Sequence, residues 1–397
     1  MLLIQNGNIW TMAGKNYDCG CVLIENGKIK EIAKWIEPPD NPDLAVIDAA
    51  GAIVMPGMIE AHCHIGIIEE KKGAEGDDCN EATTPVTPWL RAIDAVNPMD
   101  AAFDDTAAAG ITAVQVGPGS ANVVGGQFLV MKTKGSRRID DLVVKSPSAM
   151  KIAFGENPKV CYGDMSQIPS TRMAIAGLLR EELFNARQYQ HEKEDGDLEK
   201  ENFRMECWLP VLRKEIPLKA HVHRVDDILT AIRIAEEFDL DLTLDHCTEG
   251  HLIAEEIKES GFPAIVGPEL TTRSKIEVQY MDFKTIGCLQ EHGVLTAITT
   301  DHPVSLIQYL PLCAGLAVKK GLPMEEGLKA ITINAARICG VEDRMGSLEP
   351  GKDADIAIFD GNPLEVFTSC LYTLINGRIV YQKDNPEDLP AAQKPVT

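Results

Sequence analysis

The chain is predicted to adopt an α/β fold, a (β/α)8 TIM barrel with a small β-sandwich built from both termini. Three observations point there. Short β-rich segments with Asn-Gly turns lie at both ends of the 397 residues; about eight strand-like segments alternate with helical ones between them; and histidines gather at the ends of those strands.

At the N-terminus, "LLIQNGNIWTM" and "CVLIENGKIKEIA" combine β-branched residues with Asn-Gly, a hairpin signal. "GSLEPGKDADIAIFDGNP" and "LYTLINGRIVYQ" repeat the style near the other end. Residues 1–53 and 345–390 are therefore expected to form one small β domain, with "QKDNPEDLPAAQKPVT" as a polar, loose tail.

Residues 54–344 alternate. "AIVMPGMIEAHCH" reads as the first strand, and "MDAAFDDTAAAG" as a helix ending at Gly110. "ITAVQVG", "QFLVMKT" and "AMKIAFG" give the second, third and fourth strands, with the glycine-rich "GPGSANVVGG" as a loop after the second. A helical insert around 165–210 contains the charged run "HEKEDGDLEKE" and is expected to cover the site or form a dimer contact. "PLKAHVH", "LDLTLDH", "PAIVG" and "GVLTAITTDHP" complete the strands, with helices between and after them. Alternation of this kind predicts parallel strands with helical crossovers. Eight units in some 290 residues suit a barrel of the usual size, about 250 residues. A doubly wound sheet is the rival, but no glycine-rich nucleotide fingerprint follows an early strand.

Composition narrows the function. A net charge of −22 argues against nucleic-acid binding through a broad basic surface. No apolar run approaches the roughly 18 residues of a membrane span, and no secretory signal opens the sequence. Eleven cysteines without a CxxC pair read as reduced thiols, and the cytoplasm is the expected compartment. A small-molecule substrate and a homo-oligomer are the expected partners.

In a barrel of this kind the active site lies at the C-terminal ends of the strands. His62 and His64 end the first strand, two residues apart and so on one side of it, with Cys63 turned the other way. Lys151 lies in the fourth strand, His221 ends the fifth, His246 the sixth and Asp301 the eighth. Parallel core strands should read Val, Ile and Leu, because buried unpaired polar groups are costly. Imidazoles and a carboxylate converging at strand ends are instead the N/O donor set that Zn²⁺ and related cations prefer. His191 and His292 read as surface residues, and Cys63 and Cys247 as packing residues.

The segments "PGMIEAHCH", "KAHVHR", "DLTLDHCTEGH", "TAITTDHP" and "MEEGLKAITINAARICGVEDRMGSLEPGKDADIAIFDGNP" resemble the amidohydrolase superfamily, metal-dependent hydrolases with a (β/α)8 barrel and a small β-sandwich. The last segment is similar to the imidazolonepropionase-like and prolidase-like branches. The resemblance implies a His-x-His pair on strand 1, a bridging group on strand 3 or 4, histidines on strands 5 and 6, and an aspartate on strand 8. These fall on His62, His64, His221, His246 and Asp301. The bridge has three readings: a carboxylated Lys151 between two ions, Glu156 of "FGENP" in its place, or a single ion and no bridge. "KIAFGENPK" departs from the better-known lysine motifs.

A divalent cation lowers the pKa of bound water from 15.7 to about 7. Hydrolysis of an amide or cyclic-amide C–N bond in a small molecule is the expected reaction, on an N-acyl amino acid, a dipeptide or an imidazolonepropionase-like cyclic amide. Asp301 is expected to act as base and then acid, with His246 on a second ion or donating to the carbonyl oxygen. Substrate contacts are assigned to Glu156, His223 and His302, against the plainer readings of a loop residue for His223 and a backbone hydrogen bond for His302. Arg224 reads as solvated and His251 as an ordinary helix-start residue. A metal-dependent deaminase is disfavoured because no glutamate is evident near His221. A barrel that has lost its ligands and serves only in assembly is disfavoured because the ligand positions are filled.

Overall fold

The computed structural model describes residues 1–70 and 72–383. The polar tail beyond 383, and with it the last part of the 345–390 segment, lies outside the described residues. The terminal strands β1 (Leu2–Ile9), β2 (Tyr17–Glu25), β3 (Lys28–Ala33), β4 (Ala45–Asp48) and β5 (Ile53–Pro56) share one eight-stranded sheet with β14 (Ile356–Phe359), β15 (Cys370–Ile375) and β16 (Arg378–Gln382). β5 lies between β1 and β14, so the two ends of the chain interlock by backbone hydrogen bonds. Two of the three Asn-Gly pairs form the tight turns read from the sequence: Asn26 and Asn376 both adopt left-handed backbone ahead of Gly27 and Gly377; the third, Asn6-Gly7, is corrected, for it lies inside β1 where the pairing with β2 shifts register.

The barrel strands are β6 (Met58–Cys63), β7 (Ile111–Val116), β8 (Val124–Lys132), β9 (Val143–Ala153), β10 (Leu218–Val222), β11 (Leu242–His246), β12 (Ala264–Val266) and β13 (Thr296–Ile298), neighbours in that order. Strand direction corrects a further expectation. β8 runs antiparallel to both β7 and β9, so positions two to four form a meander rather than βαβ units. The links 117–123 and 133–142 are too short for a helical crossover of a dozen residues and contain no α-helix, only a 3-10 turn at Ile139–Asp141. The remaining neighbours, β6–β7 and β9 through β13, are parallel.

Alternation explains which residues face the axis. In β10 and β11, Leu218, Ala220, Val222, Leu242 and Leu244 join the main apolar core, while Lys219, His221 and Asp245 take the opposite face. The long helix Arg172–Asp195 packs on the helix Val225–Phe238, with Arg172 3.0 Å from Asp227 and Arg180 2.8 Å from Glu237. The barrel is tied to the terminal sheet by a buried ionic group: Lys132 of β8 contacts Asp353 (3.0 Å) and Asp355, and Asp353 also holds Lys28 and Arg344.

No ladder joins β13 back to β6. Side chains close this seam instead. Thr299 Oγ1 donates to the His62 carbonyl (2.6 Å), and Thr300 donates to Glu60 Oε2 from both its backbone N–H (2.9 Å) and its hydroxyl (2.6 Å). The His64 N–H donates to the His302 carbonyl at 2.8 Å. Burial raises the Glu60 carboxyl from 4.5 to about 7, despite its bonds from Thr300 and Thr299. Its folded value exceeds its unfolded one, so its contribution is full below pH 4.5 and is lost as pH rises through 7. Glu60→Gln should flatten that part of the stability–pH profile, removing a dependence of about 3 kcal/mol, as read by urea unfolding of metal-free protein between pH 5 and 8.

Candidate metal centre

Strand ends bring the predicted residues to one mouth of the barrel. His62 and His64 point the same way from the end of β6, and Asp301 follows β13. Asp301 Oδ1 lies 3.4 Å from His62 Nε2 and 3.2 Å from His64 Nε2. His62, His246 and Asp301 place donor atoms within 4.8 Å of one another, and so do His221, His223 and His246. Lys151 Nζ lies 3.4 Å from His62 Nε2. All of these groups are buried except for partial exposure at Asp301.

Backbone strain contributes to the placement. In a regular strand Asp245 and His246 would point to opposite faces. His246 (φ 70°) and Cys247 (φ 47°) adopt left-handed backbone, so consecutive residues both serve the site. Asp301 (φ 51°) is strained in the same way. Such non-glycine conformations cost of order 1–3 kcal/mol each and persist where surrounding structure enforces them.

Most of the imidazoles are held by their second nitrogen. Nδ1 of His64 bonds the Gly117 carbonyl, Nδ1 of His246 the Gly267 carbonyl, and Nδ1 of His223 the Thr248 hydroxyl, each at 2.7 Å. Nδ1 of His62 lies 3.0 Å from Asp245 Oδ2. Nε2 is thereby left facing the centre, the arrangement that orients histidines for a metal. Asp245 is itself fixed by Lys219 Nζ (3.2 Å) and the Thr243 hydroxyl (3.1 Å), and Lys219 also bonds the Ala61 carbonyl (3.0 Å).

Electrostatics fit the same purpose. Burial drives the His246 imidazole down to about 3 and those of His221 and His223 well below their usual range, so all three are neutral lone-pair donors at pH 7. Burial opposes ionisation of Asp301, but the neighbouring imidazoles of His62, His64 and His246 outweigh it and hold the carboxyl well below its usual range. Burial likewise opposes charge on His64, yet Cys79 and Asp301 hold this imidazole above its usual range. Burial lowers the Lys151 ammonium to about 8, against the pull of Asp245 and Asp301. Asp301 Oδ1 is buried without a hydrogen-bond partner. An orphaned carboxylate oxygen 3.2 to 3.4 Å from two imidazole Nε2 atoms fits a divalent cation with N/O preference.

Other predicted residues stand apart. The Glu156 carboxylate belongs to neither triad; its backbone N–H donates to Glu277 Oε2 at 2.9 Å. His302 is buried and accepts the Ile307 N–H on Nδ1, a backbone bond as in the plainer reading. His223 faces inward beside His221, with ring centroids 4.6 Å apart. Arg224 pairs with exposed Asp226, and His251 contacts the Thr285 hydroxyl. His191 and His292 are exposed, and Cys63 and Cys247 are buried packing residues. Sequence reasoning missed Asp245, Lys219, Cys79 and Glu277. The expectation of no glutamate near His221 is also corrected: Glu277 Oε1 lies 3.9 Å from Nε2 of both His221 and His223. The signal available in sequence was charge inside apolar strands, at Lys219 and Asp245.

The profile described as "Amidohydrolase family" matches residues 262–381. The crystal structure of an amidohydrolase from Thermotoga maritima MSB8 superposes with a TM-score of 0.93 at 41% identity, covering 96% of this chain and all of that one. The chain belongs to the amidohydrolase superfamily. The match makes it a hydrolase of the class acting on carbon–nitrogen bonds. Amidohydrolase tasK of Hapsidospora irregularis is 28% identical over 97% of this chain, which spans only 43% of that longer protein. A prolidase complexed with N-methylphosphonate-L-proline shares the fold, with a TM-score of 0.60 at 18% identity over 96% of this chain and all of that one. Among the described residues no helix is long and apolar enough to cross a membrane.

Two outcomes follow for this amidohydrolase. Asp245→Asn removes the charge that orients His62, and should weaken Zn²⁺ binding about 10–100-fold while the far-UV spectrum is unchanged. Cation uptake must also displace the proton that His64 holds below its raised pKa, so affinity should climb with pH. The expected slope between pH 6 and 9 is roughly tenfold per unit, measured by chelator competition.

Proposed function

We propose that this amidohydrolase cleaves an amide or cyclic-amide bond in a small molecule, an N-acyl amino acid or dipeptide foremost, using a divalent cation held by His62, His64 and Asp301. The observation that carries the reading is the orphaned Asp301 oxygen facing two imidazoles at the mouth of the barrel. When bound, the cation supplies Lewis acidity and lowers the pKa of water toward about 7.

The chain's own residues supply the rest. Asp301, ionised because the surrounding imidazoles outweigh burial, takes the proton of the attacking water on its carboxylate. It then returns that proton to the leaving nitrogen. His246, held by the Gly267 carbonyl with Nε2 facing the centre, lies within reach of Asp301 and His221 and orients the substrate carbonyl or completes a second cation shell. Lys151, neutral above about pH 8, is the amine that could react with CO₂ to give a carboxylated side chain and bridge two ions. Glu277 favours one alternative, hydrolytic deamination, because it sets a carboxylate beside His221.

Asp301→Asn should retain most of the bound metal yet lose about 10²–10⁴-fold in kcat, the usual worth of a positioned acid–base group. Zn²⁺-loaded protein assayed on N-acyl amino acids, dipeptides, cyclic amides and aminopurines tests the reading, with amine, ring-opened product and ammonia followed separately. A fully active Asp301→Asn enzyme overturns the role of Asp301, and ammonia release alone favours deamination.

A further inference from the structure

A further set of polar groups lies at the mouth of the barrel, and the hydrolysis described above does not use it. Three segments meet there. The glycine-rich segment after β7 brings Ser120, the helix Glu156–Asp164 after β9 brings Asn157 in its first turn, and the segment after β12 brings Lys275. They are joined side chain to side chain. Lys275 Nζ donates to Asn157 Oδ1 at 2.8 Å, and Asn157 Nδ2 donates to Ser120 Oγ at 2.7 Å. Nδ2 also lies 3.4 Å from His221 Nε2, so the set borders the candidate metal centre directly.

Donors are in surplus. An ammonium carries three N–H donors and a hydroxyl one. Lys275 gives one to Asn157 and one to Glu277 Oε1 at 2.6 Å. Its side chain is 21% exposed, which leaves the remaining N–H within reach of a ligand. Ser120 accepts from Asn157 and, among the described residues, gives its own proton to no acceptor. A cation and a hydroxyl bridged by one amide suit a group that only accepts, and a carboxylate offers an oxygen to each.

Both ends are fixed in advance. Glu277 holds Lys275, and its other oxygen accepts the Glu156 N–H at 2.9 Å. On the other side, the Gly117 carbonyl bonds His64 Nδ1 at 2.7 Å, and the Ala121 N–H donates to Asn80 Oδ1 at 2.9 Å. Between them, a Cβ on Gly119 would fall 2.6 Å from the Asn80 amide, so glycine lets the backbone that carries Ser120 pass this close. A site held in this way loses little freedom when it binds.

We infer that Lys275 and Ser120 hold the carboxylate of the substrate's amino-acid half, with Asn157 between them as the positioning residue. This rests on the hydrolase reading above for the place of the scissile bond, and it narrows the substrate. Because the anchor adjoins His221, the carboxylate must lie close to the bond that is cut. An N-acyl α-amino acid, or a dipeptide whose C-terminal residue leaves, meets that condition. A cyclic amide with no carboxylate, or with one many bonds away, does not.

The test compares carboxylates with their carboxamides. Zn²⁺-loaded full-length chain is titrated calorimetrically with N-methanesulfonyl alanine, leucine and phenylalanine, which carry no scissile carbonyl, each as free acid and as carboxamide. Wild type should bind the acids about tenfold more tightly or better, the usual worth of a charge-assisted hydrogen bond. Lys275→Met should cut that preference to about twofold or less, and Ser120→Ala should lower it about threefold, with circular dichroism as the folding control. On the matching N-acetyl amino acids the loss in Lys275→Met should fall on KM more than on kcat, and a loss confined to kcat overturns the assignment. So does a wild type that binds acid and carboxamide alike or binds no probe, or a Lys275→Met chain that keeps the preference. Should Lys275→Met misfold, an unchanged preference in Ser120→Ala overturns it instead. A preference for acids with no cleavage of any N-acetyl amino acid defeats the hydrolase reading and leaves the anchor. Cleavage of acids and carboxamides alike, with no preference in binding, defeats the anchor alone.

Discussion

The Asp301 carboxylate must be carried to the histidines of the first barrel strand, and the structure depends on how that is done. The strand that precedes Asp301 makes no ladder with β6, so ordinary sheet pairing cannot set the distance. Thr299, Thr300 and the His302 carbonyl bridge the gap to His62, Glu60 and His64. These bonds hold Asp301 in a strained backbone conformation within 3.4 Å of two imidazoles. Without them the carboxylate would relax toward solvent, and the donors of β6 would face an empty centre.

The barrel interior is correspondingly polar. Lys151, Lys219 and Asp245 occupy inward positions where a barrel built for stability alone would place Val, Ile or Leu. Burying such charges costs several kcal/mol each unless partners are well placed. Here the partners form a connected series: Lys219 fixes Asp245, Asp245 orients His62, and His62 meets Asp301. The arrangement gives up apolar packing for a centre in which His64, His223 and His246 are each tied at Nδ1 by a hydrogen bond, a compromise common at functional sites.

Much of this was legible in the sequence because alternation is rigid. His62 and His64 had to share a side, and His221, His246 and Asp301 fell at strand ends that the pattern of apolar runs marks well. The reversed direction of β8 was not legible, since "QFLVMKT" reads equally well either way along the axis. Asp245 was masked by its neighbour: alternation lets only one of two consecutive residues face inward, and the left-handed turn at His246 is a tertiary feature. Glu277 was invisible for another reason. It sits on a connection with no periodic pattern, and its place near His221 depends on tertiary contacts: the Lys275 ion pair, the Glu156 N–H bond and the room left by Gly155, whose Cβ would meet Oε2 at 2.6 Å.

The seam and the meander differ greatly in the length of chain they span. Within β7, β8 and β9, the Gln115–Ser148 bond joins residues 33 apart. The bonds from Thr299 and Thr300 join residues 237 and 240 apart. Ordering a loop that long carries a larger entropic cost, so local hairpins form early and distant contacts late. The histidine-rich mouth therefore comes into being only when the beginning and end of the cylinder meet, and a nascent chain that has not yet released its eighth strand carries the histidines of β6 without Asp301.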